Sequence, residues 1–260
     1  MLTDQQYSHF KTFGFVVLRK VFTEDELTLI KDELEQTMAT AYAHDPFDGS
    51  KRHWTPMFGE STPFFANLLE DPRLCDVAEQ LYGDDVIGML TDANRYVGDT
   101  NWHPDTASIH QYGVKFSFYL DPVGPDSGAL RVIPGSHLLP LHETLDSKIG
   151  ARESVIEDIP SVVCSSEPGD VVAFDLRLWH ASVGGSDDRR MCTCVYYNNP
   201  KTSEEEEATR KQATNSRKTT AAFHDQDITI YNSHWLSNPS GSPKRKRWIE
   251  RLHNLEFIRT

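Results

Sequence analysis

The triplet His103-Pro104-Asp105, answered far down the chain by His180, is the feature that most restricts how this chain folds. In an extended segment, residues i and i+2 point to the same side, so His103 and Asp105 can grip one ion. A second imidazole has to arrive from a distant strand, so far-apart strands must close on each other. Two imidazoles and one carboxylate on one face hold a divalent metal and leave coordination positions open, as in non-haem Fe(II) oxygenases. A His-x-Asp triplet is common by itself, and its meaning rests on its surroundings.

Composition narrows the setting. The 260 residues are 38% hydrophobic and 25% charged, which suits one globular domain with a substantial core. A formal net charge of −13 argues against a partner that is nucleic acid or an anionic membrane. The basic run Lys244-Arg245-Lys246-Arg247 reads as a solvated helix start, with a localisation or phosphate-binding patch as the alternative. No apolar run approaches the ~18 residues of a membrane-spanning helix, and the first residues, Met1 to Gln6, lack the basic and apolar regions of a signal peptide. Cys75, Cys164, Cys192 and Cys194 have no metal-site spacing. Reduced thiols and a cytoplasmic location are the expectation.

The pattern predicts helices first and strands after. Residues 4–12 read as a short helix and 14–18 as a strand rich in β-formers. Thr23 and Glu26 form a capping box ahead of a helix to about residue 40, whose Leu27, Ile30, Leu34 and Met38 share one face. Asp71-Pro72 opens a further helix, with Leu74, Val77, Ala78 and Leu81 inward and Gly83 at its end. Residues 44–65 read as an irregular, aromatic-rich segment, either a surface loop or a cover over a pocket. Residues 86–97, 114–120, 129–133, 171–174 and 191–197 read as strands separated by tight Pro-Gly turns. Residues 202–219 read as a solvated helix or mobile loop, with a lid as the alternative, and a final helix starts at Pro243. This order predicts an α+β chain with a jelly-roll (double-stranded β-helix, cupin-like) core and terminal helices packed on one sheet. One domain over 1–260 divides into a mainly helical part over 1–85, a jelly-roll core over 86–200, and a polar loop or lid with the last helix over 201–260.

A more specific signal comes from several motifs in order. They are His103-Pro104-Asp105, the string from Ser127-Gly128-Ala129-Leu130 to Pro134-Gly135-Ser136-His137, Pro168-Gly169-Asp170, and His180-Ala181-Ser182 followed by Arg189-Arg190. Together they make the chain resemble the phytanoyl-CoA dioxygenase family of Fe(II)- and 2-oxoglutarate-dependent oxygenases, over nearly its whole length. The resemblance implies that His103, Asp105 and His180 ligate iron and that a basic residue after His180 holds the far carboxylate of 2-oxoglutarate. Arginine suits that role because its planar fork meets a carboxylate through two charge-assisted bonds. Arg189 and Arg190 face opposite ways on a strand. The family pattern favours Arg189, with Thr193 on its face, and leaves Arg190 as the alternative, otherwise a surface ion pair with Asp187 or Asp188.

Strand phase supplies further pocket candidates. Lys115, Ser117 and Tyr119 alternate with Phe116 and Phe118, so one set faces the barrel interior and the other the helices. His142 lies near a pocket histidine of the family, although its sequence context reads as surface. Trp102 and Trp179 read as core, and His44, His53 and His110 have no ligand-like spacing. The resemblance implies O2-dependent decarboxylation of 2-oxoglutarate to succinate and CO2, coupled to oxidation of a small molecule. Because Asp105 fills the position that related halogenases leave for halide, hydroxylation, desaturation or ring closure is expected, on a specialised metabolite or other small polar substrate. Monomer and homodimer both stay open. The competing readings are a cupin-like metalloenzyme that does not use 2-oxoglutarate, against which Arg189 and Arg190 weigh, and a catalytically silent metal-binding protein.

Overall fold

The computed structural model describes residues 1–106, 108–149, 156–224 and 229–258. In chain order the elements are α1 (Asp4–Phe13), β1 (Phe15–Leu18), α2 (Glu24–Ala41), β2 (His53–Pro56), α3 (Pro63–Leu68), α4 (Pro72–Tyr82), β3 (Ile87–Tyr96) and β4 (Thr100–His103). There follow β5 (Gly113–Tyr119), β6 (Leu130–Val132), α5 (Leu141–Lys148), β7 (Val162–Cys164), β8 (Val171–Asp175), β9 (His180–Ser182) and β10 (Arg189–Tyr197). The chain closes with α6 (Ser203–His224), α7 (Ser233–Leu236) and α8 (Pro243–Asn254).

Two antiparallel sheets face each other as a jelly roll. The larger has six strands in the order β1-β8-β5-β10-β3-β2, and the smaller has four in the order β4-β9-β6-β7. Between them Phe15, Val172 and Phe174 of the larger sheet meet Leu130, Val132 and Cys164 of the smaller. The outer face of the larger sheet carries the main core. There Phe116, Phe118, Cys192 and Cys194 pack with Ile30, Leu34, Met38, Leu74, Val77, Trp248 and Leu252 from the helices. The terminal helices therefore lie on one sheet, as the apolar spacing of α2, α4 and α8 predicts.

Local chemistry fixes these helices. Thr23 and Glu26 form the expected reciprocal cap of α2, and Asp71 accepts from the Arg73 N–H at the start of α4. Trp248 of α8 donates its indole N–H to the Val86 carbonyl at 2.8 Å. Its ring lies where a side chain at Gly88 would stand, 2.7 Å from the position of a Cβ, so a glycine in β3 makes the slot. Leu34 is fully buried among these helices. Leu34→Ala is expected to cost about 2–5 kcal/mol of stability, read as a lower denaturation midpoint in urea.

Three expectations need correction. Within residues 44–65 the chain forms β2 and starts α3. Pro56 is tolerated because β2 is an edge strand, and that edge position hides the strand from a reading based on alternation. Residues 202–219 form neither a mobile loop nor a fully solvated helix. In α6, Ala208, Thr209, Ala213, Thr220 and His224 are buried, a stripe of small and polar residues that average polarity conceals. The basic run 244–247 is not wholly solvated either. The helical period turns Arg245 inward, 2% exposed, onto Glu70 at 3.0 Å and Asn67 at 2.8 Å.

Candidate active site

The site forms where the smaller sheet opens towards β5. Strands β4 and β9 pair so that His103 lies opposite His180, and their ring centroids are 4.3 Å apart. Asp105 follows after the turn at Pro104, and its backbone N–H donates to the Leu176 carbonyl at 2.8 Å. One ligand atom from each of His103, Asp105 and His180 lies within 4.8 Å of the others. The His103 Nδ1–H donates to the Asn101 carbonyl at 2.7 Å and that of His180 to the Leu178 carbonyl at 2.9 Å. A carbonyl only accepts, so both Nδ1 atoms carry the proton and both Nε2 lone pairs are left for a ligand.

Electrostatics agree with that assignment. Burial, then the adjacent His103, push His180 down to about 3, which leaves it neutral at ordinary pH. Burial alone would raise Asp105, but the Lys115 ammonium, helped by the neighbouring imidazoles, outweighs it and holds the carboxyl at about 2. Lys115 Nζ lies 3.2 Å from Asp105 Oδ2. Burial opposes the charge on Lys115, but Asp105 more than compensates and keeps it a cation.

A cavity of about 130 Å³ extends from this triad into the barrel, lined among others by Lys115, Ser117, Tyr119, Ser182 and Arg189. The register places them together: Lys115 opposes Val195, Ser117 opposes Thr193 and Tyr119 opposes Met191 on the inner face, while Phe116 and Phe118 face the helices. Ser117 Oγ is buried without a hydrogen-bond partner among the described residues. Arg189 is 4% exposed. Its guanidinium donates to the Gly98 carbonyl at 3.2 Å and to Ser182 Oγ at 3.1 Å, both neutral acceptors. Arg190 points the other way and pairs with Asp121 at 2.7 Å and Glu35 at 3.3 Å, not with Asp187 or Asp188.

The glycine of Ser127-Gly128-Ala129-Leu130 gains a physical reason here. Gly128 has φ +80°, and a Cβ there would lie 2.0 Å from Arg189 Nη1. Gly128→Ala is expected to displace the guanidinium and lower the melting temperature, with a crystal structure of the variant as the check. The Pro-Gly-Ser turn is architectural too, since Ser136 Oγ accepts from the backbone N–H of Trp179, next to His180, at 2.9 Å.

Two sequence candidates sit elsewhere than expected. Thr193 shares the inner face, but its hydroxyl donates to Asp92 Oδ1 at 2.8 Å and it does not line the cavity. His142 is buried, not on the surface: its Nδ1–H bridges the carbonyls of Ser136 and Arg177. It lines an outer space of about 760 Å³ with Trp179 and His103. Trp102 and Trp179 are core residues, as read.

A further cavity of about 370 Å³ opens on the other side of His103 and Asp105, between the larger sheet and α6. Trp54 and Asp92 line it from the sheet, Arg52 from just before β2, and Gln212, Thr220 and Phe223 from α6. Reading the sequence missed Arg52, Trp54 and Asp92. For Arg52 and Trp54 the local signal was the aromatic content of residues 44–65, whereas Asp92 lies on the strand read over 86–97.

Comparisons with known proteins fit this geometry. The sequence profile described as Phytanoyl-CoA dioxygenase (PhyH) matches residues 10–192. The ectoine dioxygenase of Sphingopyxis alaskensis is 28% identical over 218 residues, covering 70% of this chain and 71% of that protein. The structure of HygX from Streptomyces hygroscopicus with nickel and 2-oxoglutarate bound superposes with a TM-score of 0.63 at 21% identity, covering 76% of this chain and 87% of that one. EctD from S. alaskensis with 2-oxoglutarate and 5-hydroxyectoine gives a TM-score of 0.56 at 24% identity, covering 76% of each chain.

Proposed function

Because the chain belongs to the phytanoyl-CoA dioxygenase (PhyH) family, we propose that it is an Fe(II)- and 2-oxoglutarate-dependent oxygenase that hydroxylates a small polar molecule. The observation that carries this reading is Arg189: a buried cation with only neutral partners among the described residues, lining the same small cavity as His103, Asp105 and His180. A buried charge of that kind asks for an anion. The orphaned Ser117 hydroxyl adds a second donor for a polar guest.

The donor set fits iron. Two neutral imidazoles with pinned Nδ1 atoms and one ionised carboxylate match the two-histidine, one-carboxylate arrangement of non-haem Fe(II) oxygenases. When bound, iron supplies the redox chemistry that couples decarboxylation of 2-oxoglutarate by O2 to oxidation of a substrate C–H. The protein's part is to bind, orient and exclude water. Arg189, steadied by Ser182, receives the far carboxylate of 2-oxoglutarate through its planar fork. Lys115 keeps Asp105 ionised and in place. Tyr119 and Phe174 line the inner wall and keep water from the cosubstrate. Thr193 holds Asp92 and takes no direct part.

On this reading the substrate occupies the 370 Å³ cavity, a choice supported by its sharing His103 and Asp105 with the smaller cavity. Ectoine is the first candidate, since a relative at 28% identity is an ectoine dioxygenase. Anaerobic calorimetry of 2-oxoglutarate into the Fe(II) protein is expected to show one site per chain, and succinate formation under air is expected to rise when a substrate is added. Absence of 2-oxoglutarate binding would remove this reading.

A further inference from the structure

Among the described residues that line the two cavities, Arg52 is the one cation that neither an ion pair nor the cosubstrate accounts for. It lines both of them, beside His103, Asp105 and Lys115. Its Nε and Nη2 both donate to a single neutral oxygen, Asn94 Oδ1, at 3.1 and 2.5 Å. Nη1 has no hydrogen-bond partner among the described residues. The guanidinium carbon lies 4.0 Å from the Tyr96 ring centroid and 5.1 Å from that of Phe223, so two aromatic faces hold the fork in place.

The nearby Asp92 does not neutralise it. Asn94 stands between them, donating its amide to Asp92 Oδ1 at 3.0 Å. Thr193 donates to the same oxygen at 2.8 Å and the Trp54 indole to the other at 3.0 Å, so both Asp92 oxygens are engaged within the wall. Taken together, the two cavities present Arg52, Lys115 and Arg189 against Asp92 and Asp105. The charges of Fe(II) and the 2-oxoglutarate dianion cancel, and one positive charge remains. It sits on a pre-oriented planar fork at the boundary between the cosubstrate and substrate spaces.

We propose that Arg52 is a specificity-determining residue that receives a carboxylate of the substrate, and that the substrate class is small carboxylates, including zwitterions. This rests on the functional reading above and deepens it. The aromatic flanks set by Tyr96 and Phe223 favour a carboxylate carried on a compact ring or short chain over an extended thioester.

Benzoate and its neutral isostere benzamide test the idea without knowledge of the natural substrate. Each is titrated calorimetrically into the anaerobic protein loaded with Fe(II) and 2-oxoglutarate. A charge-assisted bond to Arg52 is expected to favour benzoate by about tenfold or more. Arg52→Gln is expected to abolish the preference, and Arg52→Lys to retain part of it. A wild-type protein that fails to bind benzoate, or binds benzamide as well, overturns the proposal, as does a preference that survives Arg52→Gln. A loss of 2-oxoglutarate affinity in Arg52→Gln as large as the loss for benzoate would assign Arg52 to the cosubstrate and likewise overturn it. Repeating the benzoate titrations without iron and 2-oxoglutarate separates the two readings. A protein that shows the Arg52-dependent preference yet never binds 2-oxoglutarate loses the proposed reaction and keeps the carboxylate site.

Discussion

His103→Ala is expected to give a folded protein that neither retains iron nor forms succinate. His103 is half-buried, and among the described residues it makes no ion pair and one side-chain hydrogen bond, to the Asn101 carbonyl. If His103 ligates iron as proposed, its loss removes a metal ligand at little structural cost. The fall in turnover is expected to exceed the ~10–100-fold that follows loss of an outer partner of a metal ligand. Asp105→Ala is expected to be equally inactive but less stable, because the buried Lys115 then loses the carboxylate that offsets the cost of its charge. Asp105→Asn, nearly isosteric, moderates that second effect while still removing the anionic ligand. Metal content, thermal unfolding and succinate yield measured on the three variants separate ligation from stability. Normal turnover in His103→Ala or Asp105→Asn would refute the assignment.

The strands that carry the site were legible where alternation runs long enough. Residues 113–119 show why: Lys115, Ser117 and Tyr119 alternate with Phe116 and Phe118, and the sheet places the two sets on opposite faces. Strands β7 and β9 hold three residues each, too few for periodicity to speak, and β9 was reached only through His180. The far wall of the 370 Å³ cavity was out of reach for another reason. Arg52 and Trp54 lie just before and within an edge strand that contains a proline, and Phe223 lies in the last turn of a helix whose average polarity reads as solvated. Their convergence depends on how β2 pairs with β3 and how α6 meets β2, where the Trp54 and Phe223 rings lie 5.6 Å apart, a relation between distant segments that no local pattern records. The same holds for Thr193. Its phase was readable, but that Asp92 would claim its hydroxyl follows from the cross-strand register, in which Thr193 lies opposite Asp92.

The adjacent arginines make the sharpest contrast available in this chain. If Arg189 holds the far carboxylate of 2-oxoglutarate, Arg189→Gln removes a charge-assisted, bidentate contact in a buried site. Hydrogen bonds to charged groups contribute about 1.5–3 kcal/mol each, so the KM for 2-oxoglutarate is expected to rise roughly 10- to 150-fold. Arg189→Lys is expected to fall between, because an ammonium keeps the charge but loses the fork. Arg190→Gln is the control. Its guanidinium is turned to the other face of β10, against Asp121 and Glu35, which are themselves partly exposed, so its removal is expected to shift stability slightly and the cosubstrate KM not at all. The pair differs by one position along one strand, so a global disturbance of β10 would affect both variants. A steep rise confined to Arg189→Gln therefore reports the cavity and not the strand. A KM that responds instead to Arg190→Gln would reverse the assignment, and the buried charge of Arg189 would then need another anion to explain it.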